Sequence, residues 1–380
     1  MESVDIVSLL FSKNLEFIID LIFENLSHLS LKSLSLTSSV HCNIVHHSRV
    51  AQRKARKWRK IIEKTPKLTE FNHSSMITCL AQNTETMMFP DHSQHNTIIT
   101  IWSFNNTTTV NNSEGNIVVE ENYPLMVSRL DFNDNIIVVV GANRSSFRAR
   151  ESVECFCRKR KVSLSKIYPH EDAISQITVT ENNILISSSF DKKIILTDLS
   201  LPHQPQPLLT VTEHNSPVLD FSLEKNNVLS LSSDSALILW KFQSSSLKCA
   251  KKIFLKEKVL NKVFLSWPLA AIYGFNLIQL WNLENNLLMR KLELDQCDRL
   301  TELTISFDMI LAGDVNGGVR MWSLDDIMDG HQDVEGETRR ELRTYNYKLN
   351  STIISGTRFT TDSSLMATLW DGRILFWDFN

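Results

Sequence analysis

The sequence predicts a mainly β fold, because short apolar runs alternate with polar turns along most of its length. The stretch from His214 to Trp240 holds three such runs, each long enough for a strand and too short for a stable helix. Comparable units end at Trp102, Phe156, Thr197, Trp240, Trp281, Trp322 and Trp377, at intervals of 54, 41, 43, 41, 41 and 55 residues. Repeats of about 40 to 45 residues with four strands each are typical of propellers. The sequence therefore predicts a seven-bladed β-propeller over residues 75–380, preceded by a small N-terminal α-helical module.

The repeat resembles that of the WD-repeat family. In that family a His before the first strand, a Ser on the second strand, an Asp in the next turn and a Trp on the third strand form a hydrogen-bonded structural set. The resemblance implies such sets at His214, Ser232, Asp234 and Trp240, at His170, Ser187 or Ser188, and Asp191, and at Asp371 and Trp377. Asn316 and Phe275 stand where two further turn Asp residues are expected. An irregular β-sandwich is the alternative fold.

The last repeat predicts how the ring closes. Only three residues follow Trp377, so this repeat lacks residues of its own for a fourth strand. We assign residues 64–74 to a linker and a ring-closing strand, and we expect Lys67 to Asn72 to pair with the last repeat. That pairing would cover a strand edge on which other chains could otherwise aggregate.

Composition and charge narrow the classes of protein to consider. The 380 residues suffice for a large core plus a small extra module, and the formal net charge of -3 argues against a general nucleic-acid binder. Six scattered cysteines do not form a disulfide framework, which favours a reducing compartment, cytoplasmic or nuclear. No secretory signal and no run of about 18 apolar residues is apparent, so we expect no membrane span.

The sequence offers no catalytic or metal-binding motif. It lacks a Gly-x-x-x-x-Gly-Lys phosphate loop, a His-Glu-x-x-His metal helix and a Gly-x-Ser-x-Gly nucleophile turn. Cys155 and Cys157 share one face of a predicted strand without a second ligand pair, and Cys42 with His46 makes only half of a tetrahedral site. We therefore expect a non-catalytic protein that holds no metal and no cofactor.

The N-terminal residues show helical periodicity instead. We assign residues 1–13 to a leader and residues 14–63 to a helical module. Apolar side chains recur at helical spacing at Leu15, Ile18, Ile19, Ile22, Leu26 and Leu29. The basic run from Arg53 to Lys60 is either a solvated helix face or a nuclear import signal or anionic-surface patch.

This module resembles an F-box. The resemblance lies in four runs, Asn14 to Leu26, Ser30-Leu31, Val40-His-Cys42 and Lys57 to Ile61, and in their place before the repeats. It implies that apolar side chains bind a Skp-type adaptor, which links the chain to a cullin scaffold and a ubiquitin-conjugating enzyme. The implied adaptor-binding residues are Leu15, Ile18, Ile19, Ile22, Phe23 and Leu26. The alternative is a helix that packs on the underside of the propeller and binds nothing.

Candidate substrate-binding residues come from loops at one rim of the propeller. Arg144, Arg148 and Arg150 lie within seven residues of one another in an insertion of the second repeat, and guanidinium groups suit phosphate or carboxylate. The alternative is a long surface loop whose charges are only solvated. Trp370 offers an aromatic contact on the same rim. Two other charged stretches, Arg158 to Lys161 and Asp325 to Arg340, are expected to be solvated loops on the opposite rim.

Phosphate recognition by the repeats themselves is not favoured. In F-box propellers that read phosphorylated degrons, arginines occupy two positions per blade. One lies just after the apolar residue that follows the His, and the other lies just before the turn Asp. Here the corresponding positions carry Ser175 and Phe190 in one repeat, and Leu219 and Ser233 in another.

These observations predict the substrate-recognition subunit of a Skp-cullin-F-box type E3 ubiquitin ligase. Its propeller would bind protein substrates, phosphorylated or not, and its N-terminal helices would bind the adaptor. A WD-repeat interaction scaffold unrelated to ubiquitination is the alternative. A propeller that binds nucleic acid is a third class, against which the net charge argues, so neither nucleic acid nor membrane is an expected partner.

Overall fold

The computed structural model describes a chain that is built from strands. The residues it describes are 44, 48, 67–72, 76–82, 86–92, 97–104, 110–111, 117–120, 125–143, 151–243, 245–294, 299–306, 309–324, 345–348, 353–361 and 364–378. Within them, 29 strands pair antiparallel in seven sheets, which we number in chain order. The predicted leader and helical module lie outside the described residues, apart from Ile44 and Ser48.

The first four sheets follow one another along the chain. Sheet 1 holds β2 (Ala81–Gln82), β3 (Thr86–His92), β4 (Thr97–Phe104), β5 (Val110–Asn111) and β6 (Ile117–Glu120). Sheet 2 holds β7 (Leu125–Phe132), β8 (Ile136–Asn143), β9 (Ser152–Cys157) and β10 (Ser163–Ile167). Sheet 3 holds β11 (Ile174–Val179), β12 (Ile184–Ser189), β13 (Ile194–Asp198) and β14 (Gln206–Val211). Sheet 4 holds β15 (Val218–Glu224), β16 (Asn227–Ser232), β17 (Ala236–Gln243) and β18 (Ser246–Phe254).

The last three sheets repeat the pattern, and the seventh borrows a strand. Sheet 5 holds β19 (Leu260–Ser266), β20 (Leu269–Gly274), β21 (Leu277–Asn282) and β22 (Leu287–Glu293). Sheet 6 holds β23 (Leu300–Ser306), β24 (Met309–Asp314), β25 (Gly318–Ser323) and β26 (Tyr345–Lys348). Sheet 7 holds β27 (Ile354–Thr361), β28 (Ser364–Leu369), β29 (Arg373–Asp378) and, from the other end of the chain, β1 (Lys67–Asn72).

The same register recurs in every sheet. The residue that marks the end of each repeat lies on the third strand, opposite the second residue of the second strand. These pairs are Trp102 with Met87, Phe156 with Ile137, Thr197 with Leu185, Trp240 with Val228, Trp281 with Ala270, Trp322 with Ile310 and Trp377 with Leu365. The third-strand position predicted for each marker is therefore confirmed, including the one that carries threonine.

A β-bulge also recurs near the start of the first strand. In sheets 2 to 7 the pairing of the first and second strands shifts there by one residue. The extra residues are Ser128, Ser175, Leu219, Asn261, Thr301 and Ser355. Because a bulge bends and twists its strand, the residues that follow it, such as Arg129 and Asp220, recur at equivalent places on successive first strands.

The core lies between consecutive sheets, in a propeller-like arrangement. Ile186 and Leu196 of sheet 3, for example, pack against Phe221 and Trp240 of sheet 4. Burial of each such side chain stabilises the fold by about 1.5 to 3 kcal/mol. The prediction of a mainly β, propeller-like fold is confirmed.

Sheets 1 and 7 meet in the same way, so the series of sheets closes on itself. Ile77 and Met87 of the first repeat pack against Met366 and Ile374 of the last. Gly356 permits this approach, because a Cβ atom there would lie 2.8 Å from Cδ2 of Leu80.

β1 completes sheet 7, as the sequence predicted. Its six residues pair antiparallel with β29, from Lys67 opposite Asp378 to Asn72 opposite Arg373. The fourth strand of the last sheet thus comes from the segment that precedes the first sheet. Within the described residues, no helix is long and apolar enough to cross a membrane.

We expect deletion of residues 66–72 to lower the melting temperature by about 10 °C or more. The deletion removes the pairing of six residues and exposes the edge of β29, which costs several kcal/mol in a chain of this size. Scanning calorimetry of both chains measures the change. Leu68→Ser is the control, because Leu68 is half-exposed on β1 and should shift the transition by no more than about 1 °C. Equal melting temperatures for parent and deletion would contradict the assignment.

Candidate functional site

In sheet 3, a His–Asp–Ser set ties the turn after β12 to the loop before β11. His170 Nδ1 lies 3.0 Å from Asp191 Oδ2, and Nε2 lies 2.8 Å from Ser187 Oγ. Burial lowers the pKa of His170, although the charge of Asp191 partly opposes this, so the ring is neutral at pH 7. The ring therefore donates from Nδ1 to Asp191 and accepts from the hydroxyl of Ser187. Ser187, of the two serines proposed, completes the set.

The same residue types form nucleophilic triads in hydrolases, but this set is closed to substrate. Ser187 is 0% exposed and His170 is 1% exposed. Ser187 Oγ also lies 3.4 Å from the carbonyl oxygen of Ile195. Because a nucleophile must reach a substrate carbonyl, the set is structural in this conformation.

In sheet 4, Ser230 joins His214 to Trp240, and the sequence-based choice of Ser232 is wrong. His214 Nε2 lies 2.7 Å from Ser230 Oγ, to which Trp240 Nε1 donates at 2.8 Å. Ser232 instead donates to Asp234 in the turn. The register explains the difference: Trp240 lies opposite Val228, two residues from Ser230 and four from Ser232.

The set in sheet 4 is also incomplete. Among the residues that the structure describes, none bonds to His214 Nδ1, since Asp234 bonds to Ser232 and to the N–H of Ala236. Burial, together with the charge of Lys252, lowers the pKa of His214 to about 4. His214 is therefore neutral at pH 7 and packs as a tilted ring against Trp240.

In sheet 6 the turn after the second strand is held by a carboxylate even though Asp is missing from the usual place. In sheet 6, Asp314 replaces it from two residues earlier: its Oδ1 accepts from the N–H groups of Asn316 at 2.8 Å and Gly318 at 2.7 Å. In sheet 7, Asp371 accepts from the N–H of Arg373 and pairs with its guanidinium at 2.7 Å. Trp377, the marker of that sheet, is buried.

One rim position recurs in five sheets, at the residue directly after the second strand. In each case its N–H donates to the carbonyl oxygen of the residue directly before the first strand of the same sheet. The five bonds join Phe190 to Ala173, Ser233 to Pro217, Phe275 to Val259, Val315 to Arg299 and Trp370 to Ile353. Three of these five rim positions carry exposed aromatic side chains: Phe190 (41% exposed), Phe275 (52%) and Trp370 (37%).

Most of the residues predicted to bind substrate or adaptor lie outside the described residues. Trp370 lies exposed on this rim, as expected. Arg144, Arg148 and Arg150 lie outside the described residues, and so does the adaptor set of Leu15, Ile18, Ile19, Ile22, Phe23 and Leu26. Of the predicted solvated stretch at 158–161, Arg158 is instead largely buried: it donates to Thr86 Oγ1 at 2.9 Å and lies over the ring of Phe132. The 325–340 stretch lies outside the described residues.

Polar side chains on the first strands bond to the edge of the neighbouring sheet. On β15, Asp220 and Ser222 accept from the backbone N–H groups of Val263 and Leu265 in β19, and Glu224 accepts from that of Trp267 directly after β19. Between β7 and β11, Asp131 accepts from the N–H of Val179 at 2.8 Å, and Arg129 donates to the carbonyl oxygen of Ser175 at 2.8 Å. These side chains satisfy backbone groups that a free strand edge would leave unpaired.

Two of these carboxyl groups, those of Asp220 and Asp131, have raised pKa values. Burial raises the pKa of Asp220 to about 6, against the opposing effects of Lys262 and of the bond from Val263. Burial likewise raises the pKa of Asp131 to about 6. Asp220 Oδ1 has no hydrogen-bond partner among the described residues. Both groups are thus costly to ionise, and they serve the seam between sheets.

Sequence comparison with known proteins does not place this chain in a family. No family model matches it, and no curated protein matches it. Its fold does match solved structures, 1527 chains in all. One is the crystal structure of the computationally designed Ika8 protein, with a TM-score of 0.55 and 15% identity over 81% of this chain and 97% of that one. At this identity the likeness shows the fold alone.

The described residues hold no group of three His, Cys, Asp or Glu side chains that could bind a metal.

We expect Ser230→Ala to lower the free energy of unfolding by about 1 to 3 kcal/mol. The substitution leaves His214 Nε2 and Trp240 Nε1 buried without a partner, and an unsatisfied buried group costs that much. Ser232→Ala removes a bond in a turn at the rim and should cost less than half as much. Urea unfolding of both variants measures the difference. A larger loss for Ser232→Ala would contradict the assignment of the set.

We expect Asp220→Asn to stabilise the chain at pH 7.5 and to lose this advantage in acid. The folded pKa of Asp220, about 6, lies above the unfolded value of about 3.9, so stability falls as the pH rises from about 4 to 6. Above that window the buried charge costs about 2 to 3 kcal/mol, which the amide avoids while still accepting from Val263. Melting temperatures of parent and variant are compared between pH 4 and 8. The pH-dependent contributions of His214 and of all other titratable groups are the same in both chains, so the difference reports Asp220 alone. An advantage that does not change with pH would contradict the buried charge.

Proposed function

We propose that this chain is a non-catalytic receptor that binds partner proteins on the rim formed by the turns after the second strands. The observation that carries the proposal is the set of exposed aromatic side chains at one recurring rim position, Phe190, Phe275 and Trp370. Aromatic residues are prominent among the side chains that dominate protein interfaces. Three of them on one rim indicate a binding surface.

The backbone beneath these side chains is already ordered. Each aromatic residue is held by a bond from its own N–H to the neighbouring loop, at 3.0 Å for Phe190 and for Trp370. The turn that follows is fixed as well, by Asp191 in sheet 3 and by Asp371 in sheet 7. A partner that docks here therefore orders few new groups, which reduces the entropic cost of binding.

The same rim supports contact with apolar side chains better than phosphate recognition. At the two positions where phosphodegron readers carry arginine, Ser175 is buried and bonds to Ser188 at 2.7 Å, while Phe190 is an exposed aromatic residue. In sheet 4 the same two positions carry Leu219 and Ser233. Neither repeat offers a guanidinium group for a phosphate there.

We further propose that the seven sheets are the seven blades of a WD-type propeller and that the chain serves a Skp-cullin-F-box type E3 ubiquitin ligase in the cytoplasm or nucleus. The recurring register, the His170 set and the closing strand support the first point. The F-box resemblance of residues 14–63 supports the second. In such a complex the chain would hold a target lysine near the charged ubiquitin, which raises the effective concentration of the two.

A WD-repeat scaffold unrelated to ubiquitination is the second candidate. This candidate requires only the ring, because the pairing that closes the ring begins at Lys67 and uses none of the F-box-like residues. On this alternative the N-terminal residues would only cap the ring, and the same rim would bind other partners.

We expect the full-length chain to retain a purified Skp-type adaptor in a pull-down, and the double variant Ile18→Asp, Ile22→Asp to lose it. Two carboxylates would disrupt the apolar face implied for adaptor contact, because a buried unpaired charge costs several kcal/mol. Circular dichroism and the melting temperature verify that the propeller of the variant stays folded. The matched control is Lys13→Asp, Lys32→Asp, which adds carboxylates outside the implied contact set. A folded parent that fails to retain the adaptor would leave the scaffold as the better candidate.

A further inference from the structure

We propose that one sector of the rim binds an acidic, unphosphorylated polypeptide segment that also carries an aromatic or large aliphatic side chain. We call this sector the Phe254 patch. It consists of the exposed apolar residues Phe254, Val259 and Phe275, with the cations Lys252, Lys256, Lys258 and Arg299 around them. The proposal deepens the proposed function, on which it rests, by naming the chemistry of the partner.

Backbone hydrogen bonds at both ends of one loop bring the members of the patch together. The loop between β18 and β19 runs from the turn of sheet 4 to the turn of sheet 5. At its start Leu255 donates to the carbonyl oxygen of Ser235, and at its end the carbonyl oxygen of Val259 accepts from the N–H of Phe275. Phe254 therefore stands beside one turn and Phe275 lies in the next, so the loop joins the two aromatic residues along the rim.

The apolar part of the patch is unusually exposed. Phe254 is 66% exposed, Phe275 is 52% exposed and Val259 is 46% exposed. Neighbouring large side chains of the same region, such as Leu255 and Leu260, are buried in the core. Grouped exposed apolar side chains with a polar border are typical of protein interaction sites.

Cations frame this apolar surface. The Nζ atom of Lys252 lies 5.4 Å from the ring centre of Phe254, and the guanidinium of Arg299 lies 5.5 Å from that of Phe275. Lys256 and Lys258 are exposed on the loop between them. Each cation over a ring face both stabilises the exposed ring and presents its charge to a partner.

Two carboxylates of the same region are already engaged. A third, that of Glu213, is exposed, and the backbone carbonyl oxygen of Glu213 accepts from Nζ of Lys252 at 3.3 Å. Glu257 accepts from Gln279 at 2.6 Å and pairs with Lys291 at 3.4 Å. Asp234 accepts from Ser232 and from the N–H of Ala236. By contrast, Lys252, Lys256, Lys258 and Arg299 pair with no carboxylate among the described residues. The patch therefore offers positive charge and apolar surface to a partner, and acidic residues interspersed with a large apolar side chain complement it.

A selection experiment tests the proposal directly. A phage-displayed library of random dodecapeptides is selected on the immobilised full-length chain. The same library is also passed over the variant Lys256→Glu, Lys258→Glu, and peptides that this variant retains are removed from the pool. We expect the recovered peptides to be enriched in Asp and Glu around a Phe, Trp or Leu. Recovered peptides without acidic enrichment, or peptides that the depleting variant retains equally well, would overturn the proposal.

Anisotropy titrations of one recovered peptide then separate charge from apolar contact. We expect affinity to fall about tenfold for Lys256→Glu, Lys258→Glu, since each reversed charge weakens one or two exposed contacts. It should fall about threefold to tenfold for Phe254→Ala. Lys159→Glu, Lys248→Glu is the matched control, because it reverses two exposed charges at the opposite rim and should leave affinity unchanged.

Two further outcomes would overturn the proposal. Equal loss in the control variant would show that the net charge of the chain, and not the patch, sets the affinity. Binding of single-stranded DNA or of phosphatidylserine vesicles that is as tight as peptide binding and insensitive to Phe254→Ala would show a general anionic surface. An adaptor pull-down with the same variants distinguishes failure of the patch proposal from failure of the proposed function. Retention of the adaptor together with failure of the peptide test would overturn the patch and leave the proposed function standing.

Discussion

Each sheet of this protein has two apolar faces, and neither face can remain in water. On β12, β16 and β24 every residue is buried, whichever face of the strand it occupies. A sheet of this kind needs a neighbour on both sides, so a row of sheets would end in two uncovered faces. Closure removes both ends at once. The contact of Ile77 with Met366 and the pairing of β1 with β29 are therefore conditions for the stability of every other sheet.

Closure covers the faces of the sheets but leaves unpaired backbone groups at the strand edges. Different residues protect the inner and the outer edge. At the inner edge, side chains of β15 bond to the backbone of β19, so burial of polar groups is matched by hydrogen bonds. At the outer edge, lysines and proline discourage pairing with other chains, as with Lys248 on β18 and Pro207 on β14. The raised pKa values of Asp131 and Asp220 are a consequence of the inner arrangement, because burial of a carboxylate in the seam disfavours its charge.

Repeat spacing predicted the strands and their order well, because a period of about 40 residues constrains every copy of the unit at once. Spacing alone predicts that Thr197 is a third-strand residue, and it occupies that place. Closure by Lys67 to Asn72 was also predictable, since the last repeat lacked a strand.

Individual hydrogen bonds were harder to predict. Ser230 and Ser232 share one face of β16, and only the register against β17 shows that Ser230 reaches Trp240. Asp314 takes over the turn of sheet 6 from inside a strand, where turn residues are not usually sought. The Phe254 patch was missed altogether, because its residues belong to two strand ends and a loop that only the fold brings together.

The rim can vary because the turns beneath it do not depend on its side chains. In four sheets the residue after the turn Asp or Asn has a positive φ: Lys192, Ser235, Gly317 and Gly372. Two of these are not glycine, so the carboxylate bonds of the turn must hold them in a conformation that L-residues rarely adopt. That fixed turn carries Phe, Ser, Val and Trp at the preceding position in sheets 3, 4, 6 and 7, without a change of the backbone bond. A designed protein shares the fold at 15% identity, so the fold does not select a partner. In the proposed receptor, selection would therefore come from the rim side chains, because an uneven distribution of aromatic and cationic residues gives different sectors different chemistry.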